Sequence, residues 1–202
     1  MESSLENEIK VILLGDCGVG KTNIISRYIN DEFKDSILST SGANYVVKSI
    51  DLDGKNYQLN IWDTAGQERY RSVTKMFIQD SQILILCYSI IEHKTFEDLD
   101  FWYNLAIEIV GKDIILGIAG NKSDLFEIEK VKDSEGKNYA KSHNAIFKLI
   151  SAKEDKKSID LLFEELLREY IKKTNDNEIN GRKSVKIDEN TSKKGNNHKR
   201  CC

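Results

Sequence analysis

The fold of this chain is decided by the stretch Gly15-Asp16-Cys17-Gly18-Val19-Gly20-Lys21-Thr22, which directly follows an apolar run over residues 9–14. Its spacing, G-x-x-x-x-G-K-[ST], is typical of a phosphate-binding loop between a strand and a helix. The glycines allow backbone N–H groups to turn toward a phosphate, which Lys21 can contact while the Thr22 hydroxyl binds Mg²⁺. The sequence therefore predicts a nucleotide site.

The helix predicted over residues 21–30 strengthens this interpretation, because a helix N-terminus attracts anions. Asn23 lies in the first turn of this helix, and we expect it to bind the nucleotide. The alternative is a glycine turn that holds no ligand. The loop alone identifies neither the base nor the fate of the outermost phosphate.

Length and composition indicate one folded domain. The chain has 202 residues and a net charge of −3, and no apolar run approaches the roughly 18 residues of a membrane span. Residues 172–202 carry nine Lys and Arg against four Asp and Glu, a charge of +5, so residues 1–171 carry −8. An acidic body argues against nucleic acid as a partner, and a basic tail suits an anionic membrane surface.

Short apolar runs alternate with amphipathic stretches, a pattern typical of strand–helix–strand units. It predicts buried strands over residues 10–14, 83–88, 114–119 and 145–150, and helices over residues 21–30, 73–79, 94–110, 132–142 and 156–173. Residues 44–52 and 55–62 alternate around Asp53-Gly54, which indicates a β-hairpin and hence one antiparallel edge strand. The expected fold is a three-layer α/β domain with a six-stranded, mostly parallel sheet.

The pattern also predicts three regions of the chain. Residues 1–7 form a flexible N-terminus, residues 8–173 the folded domain, and residues 174–202 a disordered tail rich in Asn, Lys and Ser. The four cysteines (Cys17, Cys87, Cys201 and Cys202) do not form a disulfide framework, so a reducing compartment is expected.

A second motif, Trp62-Asp-Thr-Ala-Gly-Gln-Glu68, follows the predicted hairpin. An Asp at the end of a strand that faces a phosphate loop can hold Mg²⁺ through water, which makes Asp63 a candidate metal ligand. Gly66 can bring a backbone N–H to the γ-phosphate, and Gln67 can orient an attacking water. The alternative is an ordinary polar turn after a strand.

These two motifs, followed by Asn121-Lys122-Ser-Asp124 and Ser151-Ala152-Lys153, occur in the order seen in Ras-superfamily small GTPases. The chain resembles that family over nearly all of residues 8–172. The resemblance implies the Ras-like phosphate-loop NTPase fold, a GTP/GDP switch and bound Mg²⁺. It also implies that Asp124 accepts hydrogen bonds from guanine N1 and N2, that Asn121 and Lys122 brace the loop, and that the Ala152 backbone donates to guanine O6.

Two further roles follow from the resemblance by spacing. Phe33 stands where the family has an aromatic ring that covers the base, and Thr40 matches the threonine that binds Mg²⁺ and the γ-phosphate in the GTP state. The segment after Thr40 departs from the usual family sequence. For Phe33, packing on the core is the alternative.

Within the superfamily the chain is most similar to Rab proteins, because of residues 58–74 and the terminal Cys201-Cys202. The resemblance implies two geranylgeranyl groups on these cysteines, and effectors that contact Tyr45, Trp62 and Phe77. It also implies an exchange factor, a GTPase-activating protein, a dissociation inhibitor and an escort protein. Cys17 replaces the Ser frequent in Rab proteins and is similar in size, so slow intrinsic hydrolysis is expected.

The expected function is a monomeric, Rab-like GTPase that recruits effectors in vesicle trafficking, located on the cytosolic face of endomembranes or the plasma membrane with a cytosolic pool. A GTP-binding scaffold that does not cycle is the main alternative. A phosphate-loop kinase is a second, although it accounts for neither the Asn-Lys-Ser-Asp motif nor the terminal cysteines.

Overall fold

Strands and helices alternate along the chain in the computed structural model, which describes residues 7–35, 43–64 and 71–191. The strands are β1 (Glu8–Leu14), β2 (Ala43–Leu52), β3 (Lys55–Thr64), β4 (Ile83–Ser89), β5 (Ile115–Asn121) and β6 (Ile146–Leu149). The α-helices are α1 (Lys21–Asn30), α2 (Arg71–Ile78), α3 (His93–Glu97), α4 (Leu99–Val110), α5 (Asp133–Ser142) and α6 (Lys156–Thr191).

Within these ranges the strands form a six-stranded sheet in the order β2-β3-β1-β4-β5-β6. The edge strand β2 is antiparallel to β3, and the other neighbouring strands are parallel. The predicted fold class is therefore confirmed. Because the strand order reverses direction beside β1, the loops after β1, β3 and β4 meet at one edge, where ligands bind in open α/β sheets.

The Asp53-Gly54 turn joins β2 to β3 as predicted. Both residues have positive φ, 53° at Asp53 and 76° at Gly54. A two-residue hairpin turn that matches the twist of its strands requires this conformation at both central positions. The turn aligns Asn44 with Asp63 in the ladder, so the hairpin register helps to fix the position of the carboxylate.

The central strands are buried on both faces, as their continuous apolar runs predict. Every residue of β4 and of β5 is buried. Gly117 in β5 lies so close to α6 that an added Cβ would stand 2.9 Å from Leu166 Cδ1. A parallel sheet covered by helices on both sides requires such strands.

Apart from shifts of one or two residues at their ends, the helices differ from the predictions in three places. The helix predicted over residues 94–110 is divided at Asp98 into α3 and α4. A short 3₁₀ helix over Ser123–Ile128 was not predicted, because one such turn leaves no apolar period. The final helix does not end at residue 173 but continues to Thr191. Polar residues do not by themselves end a helix, and this chain has no proline to break it.

The chain divides into two compact units, Met1–Leu166 and Leu167–Cys202. The sheet belongs to the first unit, and the second contains the remainder of α6. The predicted division at residue 174 stays a prediction. In the parts of the chain that the structure describes, no helix has both the length and the apolar character needed to cross a bilayer.

Candidate functional site

The candidate site lies at the carboxyl edge of the sheet, where β1 and β3 end side by side. Leu13 of β1 is paired with Asp63 of β3, so the loop after β1 begins next to this carboxylate. Asn121, the last residue of β5, reaches the same loop with its side chain. Parallel pairing therefore brings three motifs that are distant in sequence to one place.

The glycines of the loop meet different requirements. Gly15 has a φ of 143°, and a Cβ there would stand 2.1 Å from the carbonyl oxygen of Cys87. Gly20 has a φ of 99°, and its Cβ would stand 2.4 Å from Asn121 Nδ2. Gly18 has a φ of 78° with nothing within 4 Å of an added Cβ. Space thus excludes side chains at Gly15 and Gly20, whereas Gly18 is selected by backbone conformation alone.

Lys21 closes the loop onto itself. Its Nζ donates to the carbonyl oxygens of Gly15 and Asp16, at 2.6 and 2.9 Å. Its side chain is buried, which lowers the pKa of the ammonium group, while nearby Asp63 opposes that shift. A buried cation is costly without an anionic partner, so this site favours an anion beside Lys21.

Thr22 and Asp63 form an oxygen cluster next to Lys21. Thr22 Oγ1 donates to Asp63 Oδ2 at 2.7 Å. The other carboxylate oxygen, Oδ1, is buried and has no hydrogen-bond partner among the described residues. Burial raises the pKa of Asp63, although the Thr22 hydrogen bond and Lys21 oppose this. A hard cation that takes oxygen ligands fits this orphaned, buried oxygen.

Asn121 connects the phosphate loop to the loop of residues 151–153. Its Nδ2 donates to the Val19 carbonyl at 2.7 Å, and its Oδ1 accepts from the Ala152 N–H at 3.1 Å. Asn121 is 2% exposed. Sequence reasoning assigned the Ala152 N–H to guanine O6 and missed this second partner. One amide therefore holds the two ends of the candidate site together.

The remaining residues of the predicted base site lie beside this bridge. Ser151 Oγ donates to Asp124 Oδ1 at 2.6 Å and accepts from the Glu154 N–H at 3.0 Å. A carboxylate has about four acceptor positions, so Asp124 retains capacity for a ligand. Lys122 has a positive φ of 67°, and burial lowers the pKa of its side chain. Lys153 has an exposed side chain.

Two supporting residues were missed by sequence reasoning. Arg27 Nε and Nη2 donate to the carbonyl oxygens of Ala152 and Lys153, at 2.8 and 2.7 Å. Trp102 Nε1 donates to Asp16 Oδ1 at 2.8 Å, so that α4 holds the second residue of the phosphate loop. Both contacts join residues far apart in the chain, and no local pattern indicates them.

Phe33 lies in the segment after α1 and is half-buried. The Asn23 side chain contacts the backbone of the next residue, Lys34. Cys17 is exposed in the phosphate loop. Five predicted site residues lie outside the described residues: Thr40, Gly66, Gln67, Cys201 and Cys202.

A second surface contains the three predicted effector-contacting aromatic residues. The Tyr45 and Trp62 rings are 5.2 Å apart, and the Trp62 and Phe77 rings are 5.3 Å apart. Tyr45 is 45% exposed. Lys10 Nζ lies 5.0 Å from the centre of the Trp62 ring and donates to the Gln79 carbonyl. The predicted aromatic trio is therefore assembled on β2, β3 and α2.

Comparison with known proteins places this arrangement in a family. The model of the Ras family matches residues 10–172. The chain belongs to the Ras family. Rab-22A of Mus musculus is 38% identical over 180 residues, which cover 89% of this chain and 92% of that relative. The Ras-related protein rab-11.1 of Caenorhabditis elegans is 35% identical over 170 residues, 84% of this chain and 80% of the relative.

A plant relative, the Ras-related protein RIC2 of Oryza sativa subsp. japonica, is 36% identical over 166 residues, or 82% of this chain and 76% of its own. This Ras-family member is thus a small GTPase most similar to Rab proteins, as its motifs predict. The match favours a GTPase over the phosphate-loop kinase considered as an alternative.

Proposed function

We propose that the chain is a GTP/GDP switch that hydrolyses GTP and recruits effectors to a membrane. The observation that best supports this is the Asn121 bridge, because it joins a phosphate loop to the loop that follows β6. A site built this way can read the phosphates and the base of one nucleotide together.

In this proposal the phosphates lie against the backbone of residues 15–22. Lys21 exchanges its contacts with loop carbonyls for β- and γ-phosphate oxygens, which supply the anion that its burial demands. Backbone N–H groups in the first turn of α1, including that of Asn23, would face the inner phosphates, because N–H groups at a helix N-terminus have no partner within the helix.

Mg²⁺ would be held by Thr22 and by Thr40 in the GTP state, with Asp63 acting through water. When bound, this ion neutralises charge on the β- and γ-phosphates. The orphaned Asp63 Oδ1 supports the assignment. Within the described ranges no cluster of three or more His, Cys, Asp or Glu could hold a metal, so the other ligands would be hydroxyl, water and phosphate oxygens.

Guanine would be recognised by Asp124, which accepts from N1 and N2, with Phe33 covering the ring. Ser151 orients the Asp124 carboxylate through its 2.6 Å hydrogen bond, and Lys153 lies in the same loop as Ser151. For Ala152 to donate to guanine O6, its N–H must share or exchange the Asn121 oxygen. Adenine offers no matching donors and would leave Asp124 unpaired, which gives strong discrimination.

Hydrolysis would depend on Gln67, which orients the attacking water, and on Gly66, whose N–H senses the γ-phosphate. Water attacks the γ-phosphorus, the bond to the β-phosphate oxygen breaks, and GDP and phosphate leave. Intrinsic turnover is expected to be slow. A GTPase-activating protein would raise the rate by roughly 10³ to 10⁵ if it supplies an arginine.

Single-turnover hydrolysis distinguishes this switch from a GTP-binding scaffold that does not cycle. The wild-type chain, loaded with GTP and Mg²⁺, should release phosphate slowly, and Gln67→Leu should abolish that release. GTP that stays intact on the wild-type chain, even with activating proteins added, would favour the scaffold. Bound guanine nucleotide is quantified in both variants, so a loss of binding is not mistaken for a loss of turnover.

Membrane attachment is the second part of the proposal. Geranylgeranylation of Cys201 and Cys202 on a chain presented by an escort protein would anchor the chain stably. Two lipid chains bind a membrane firmly, whereas one binds it only marginally. Mass spectrometry of the protein from its own cells should find two prenyl groups, and an unmodified terminus would contradict this part. Effectors would contact the aromatic trio of Tyr45, Trp62 and Phe77.

The cellular cycle completes the proposal. An exchange factor would load GTP, effectors in vesicle trafficking would bind the GTP form, and a dissociation inhibitor would hold the GDP form in a cytosolic pool. Loss of the γ-phosphate would release the segments around Thr40 and Gly66.

A further inference from the structure

The Asn23 side chain forms a two-point contact with the backbone of Lys34. Asn23 Nδ2 donates to the Lys34 carbonyl at 3.0 Å, and the Lys34 N–H donates to Asn23 Oδ1 at 3.1 Å. A carboxamide that pairs with both the donor and the acceptor of one residue fixes its orientation as well as its position. Asn23 therefore anchors the chain directly after Phe33.

The path of the chain after α1 explains how Lys34 comes close to Asn23. Helix α1 ends at Asn30. Asp31 then turns the chain with a φ of 58°, and its N–H donates a hydrogen bond to the Arg27 carbonyl oxygen. Asn23 stands seven residues before the helix end, or about 10 Å at 1.5 Å per residue. The four residues from Asp31 to Lys34 span at most about 14 Å. They therefore reach Asn23 by running back along the helix.

The anchor joins two parts of the proposed nucleotide site. Asn23 directly follows Thr22 in the first turn of α1, where its backbone is expected to face the phosphates. Phe33, half-buried and next to the anchored Lys34, is expected to cover the base. Asn23 thus lies next to the expected phosphate contacts and holds, through Lys34, the residue that adjoins Phe33.

We propose that Asn23 is a positioning residue that holds Phe33 over the base and so slows nucleotide release. The inference rests on the proposed guanine-nucleotide site. The other interpretation is that Asn23 is an ordinary helix residue whose side chain contributes nothing to retention.

Release of fluorescently labelled GDP, chased with excess unlabelled GDP, tests the inference on the full chain. Asn23→Ala should speed release about three- to tenfold, the upper limit being equivalent to about 1.4 kcal/mol, as expected for two exposed neutral hydrogen bonds. Asn30→Ala is the matched control, because it makes the same change at the exposed last residue of α1. It should leave the release rate unchanged.

A double-mutant cycle with Phe33 separates positioning from a direct effect on the helix. In a Phe33→Ala background, Asn23→Ala should add less than about twofold, because the ring that it positions is absent. Hydrogen exchange at the Lys34 amide should become faster in Asn23→Ala, while amides in the middle of α1 keep their protection.

Three results would overturn the inference: a release rate in Asn23→Ala equal to that of Asn30→Ala, full additivity with Phe33→Ala, or unchanged exchange at Lys34. A wild-type chain that does not retain labelled GDP would instead contradict the proposed function, and the inference with it. The two failures are therefore distinguishable.

Discussion

Replacing Gly20 with Ala tests how the loop and the base site are joined. The new Cβ would lie 2.4 Å from Asn121 Nδ2, closer than atoms can approach, so the Asn121 side chain must move. This amide donates to Val19 and accepts from Ala152. We therefore expect one methyl group in the phosphate loop to loosen the loop of residues 151–153.

The magnitude follows from two costs. A non-glycine residue at the Gly20 φ of 99° costs about 1–3 kcal/mol. Displacing Asn121 leaves the Val19 carbonyl unsatisfied in a buried site, which costs a further 1–3 kcal/mol or so. Gly18→Ala is the matched control, since its φ is 78° with nothing within 4 Å of the Cβ, so it incurs only the first cost.

The assay is urea unfolding of both variants at one fixed excess of GDP and Mg²⁺, which reports folding and ligand binding together. Gly20→Ala should lower the free energy of unfolding by about 1–3 kcal/mol more than Gly18→Ala does. In an Asn121→Ala background this difference should disappear, because the clashing atom is gone. Equal losses in the two glycine variants would refute the reasoning.

Three further predictions concern contacts around the site. Arg27→Ala should speed release of labelled GDP about five- to tenfold in stopped-flow measurements, because the loop of residues 151–153 loses two hydrogen bonds from a charged donor. Full rescue of the release rate by Arg27→Lys would contradict this, since Lys lacks the planar guanidinium group that makes both hydrogen bonds. Burial raises the pKa of Asp63, so its proton returns at higher pH than in an exposed Asp; apparent Mg²⁺ affinity should therefore fall as the pH decreases, and it should fall less steeply in Asp63→Asn, where only the nucleotide phosphates still titrate. Trp102→Phe removes the hydrogen bond to Asp16. In urea unfolding it should therefore lower the free energy of unfolding by about 1–2 kcal/mol more in the wild-type background than in Asp16→Ala, where this hydrogen bond is already absent.

Much of the fold could be predicted because the deciding signals are local. The glycines at 15 and 20, the Asp53-Gly54 turn and the fully apolar strands each express a requirement of the backbone or of burial at their own position. Parallel pairing then follows from the alternation of strands and helices. Asp63 was identified for the same reason, since it stands where a predicted strand ends, whereas Asn121 was identified through the resemblance to small GTPases.

The supporting contacts could not be predicted, because they depend on how distant elements pack. Arg27 reaches Ala152 across 125 positions of sequence, and Trp102 reaches Asp16 across 86. Neither residue differs in its local pattern from an ordinary helix residue. The predicted end of α6 was wrong for a different reason. A polar sequence without proline contains no signal that fixes the residue at which a helix ends.

The most direct test of the account is the identity of the nucleotide that the purified chain carries. Denaturing the protein, prepared with Mg²⁺ and without added nucleotide, and separating the released bases by chromatography measures this. The account predicts guanine nucleotide at close to one per chain, with Asp124→Ala carrying much less. Adenine nucleotide on the wild-type chain, or equal guanine occupancy in both variants, would contradict it.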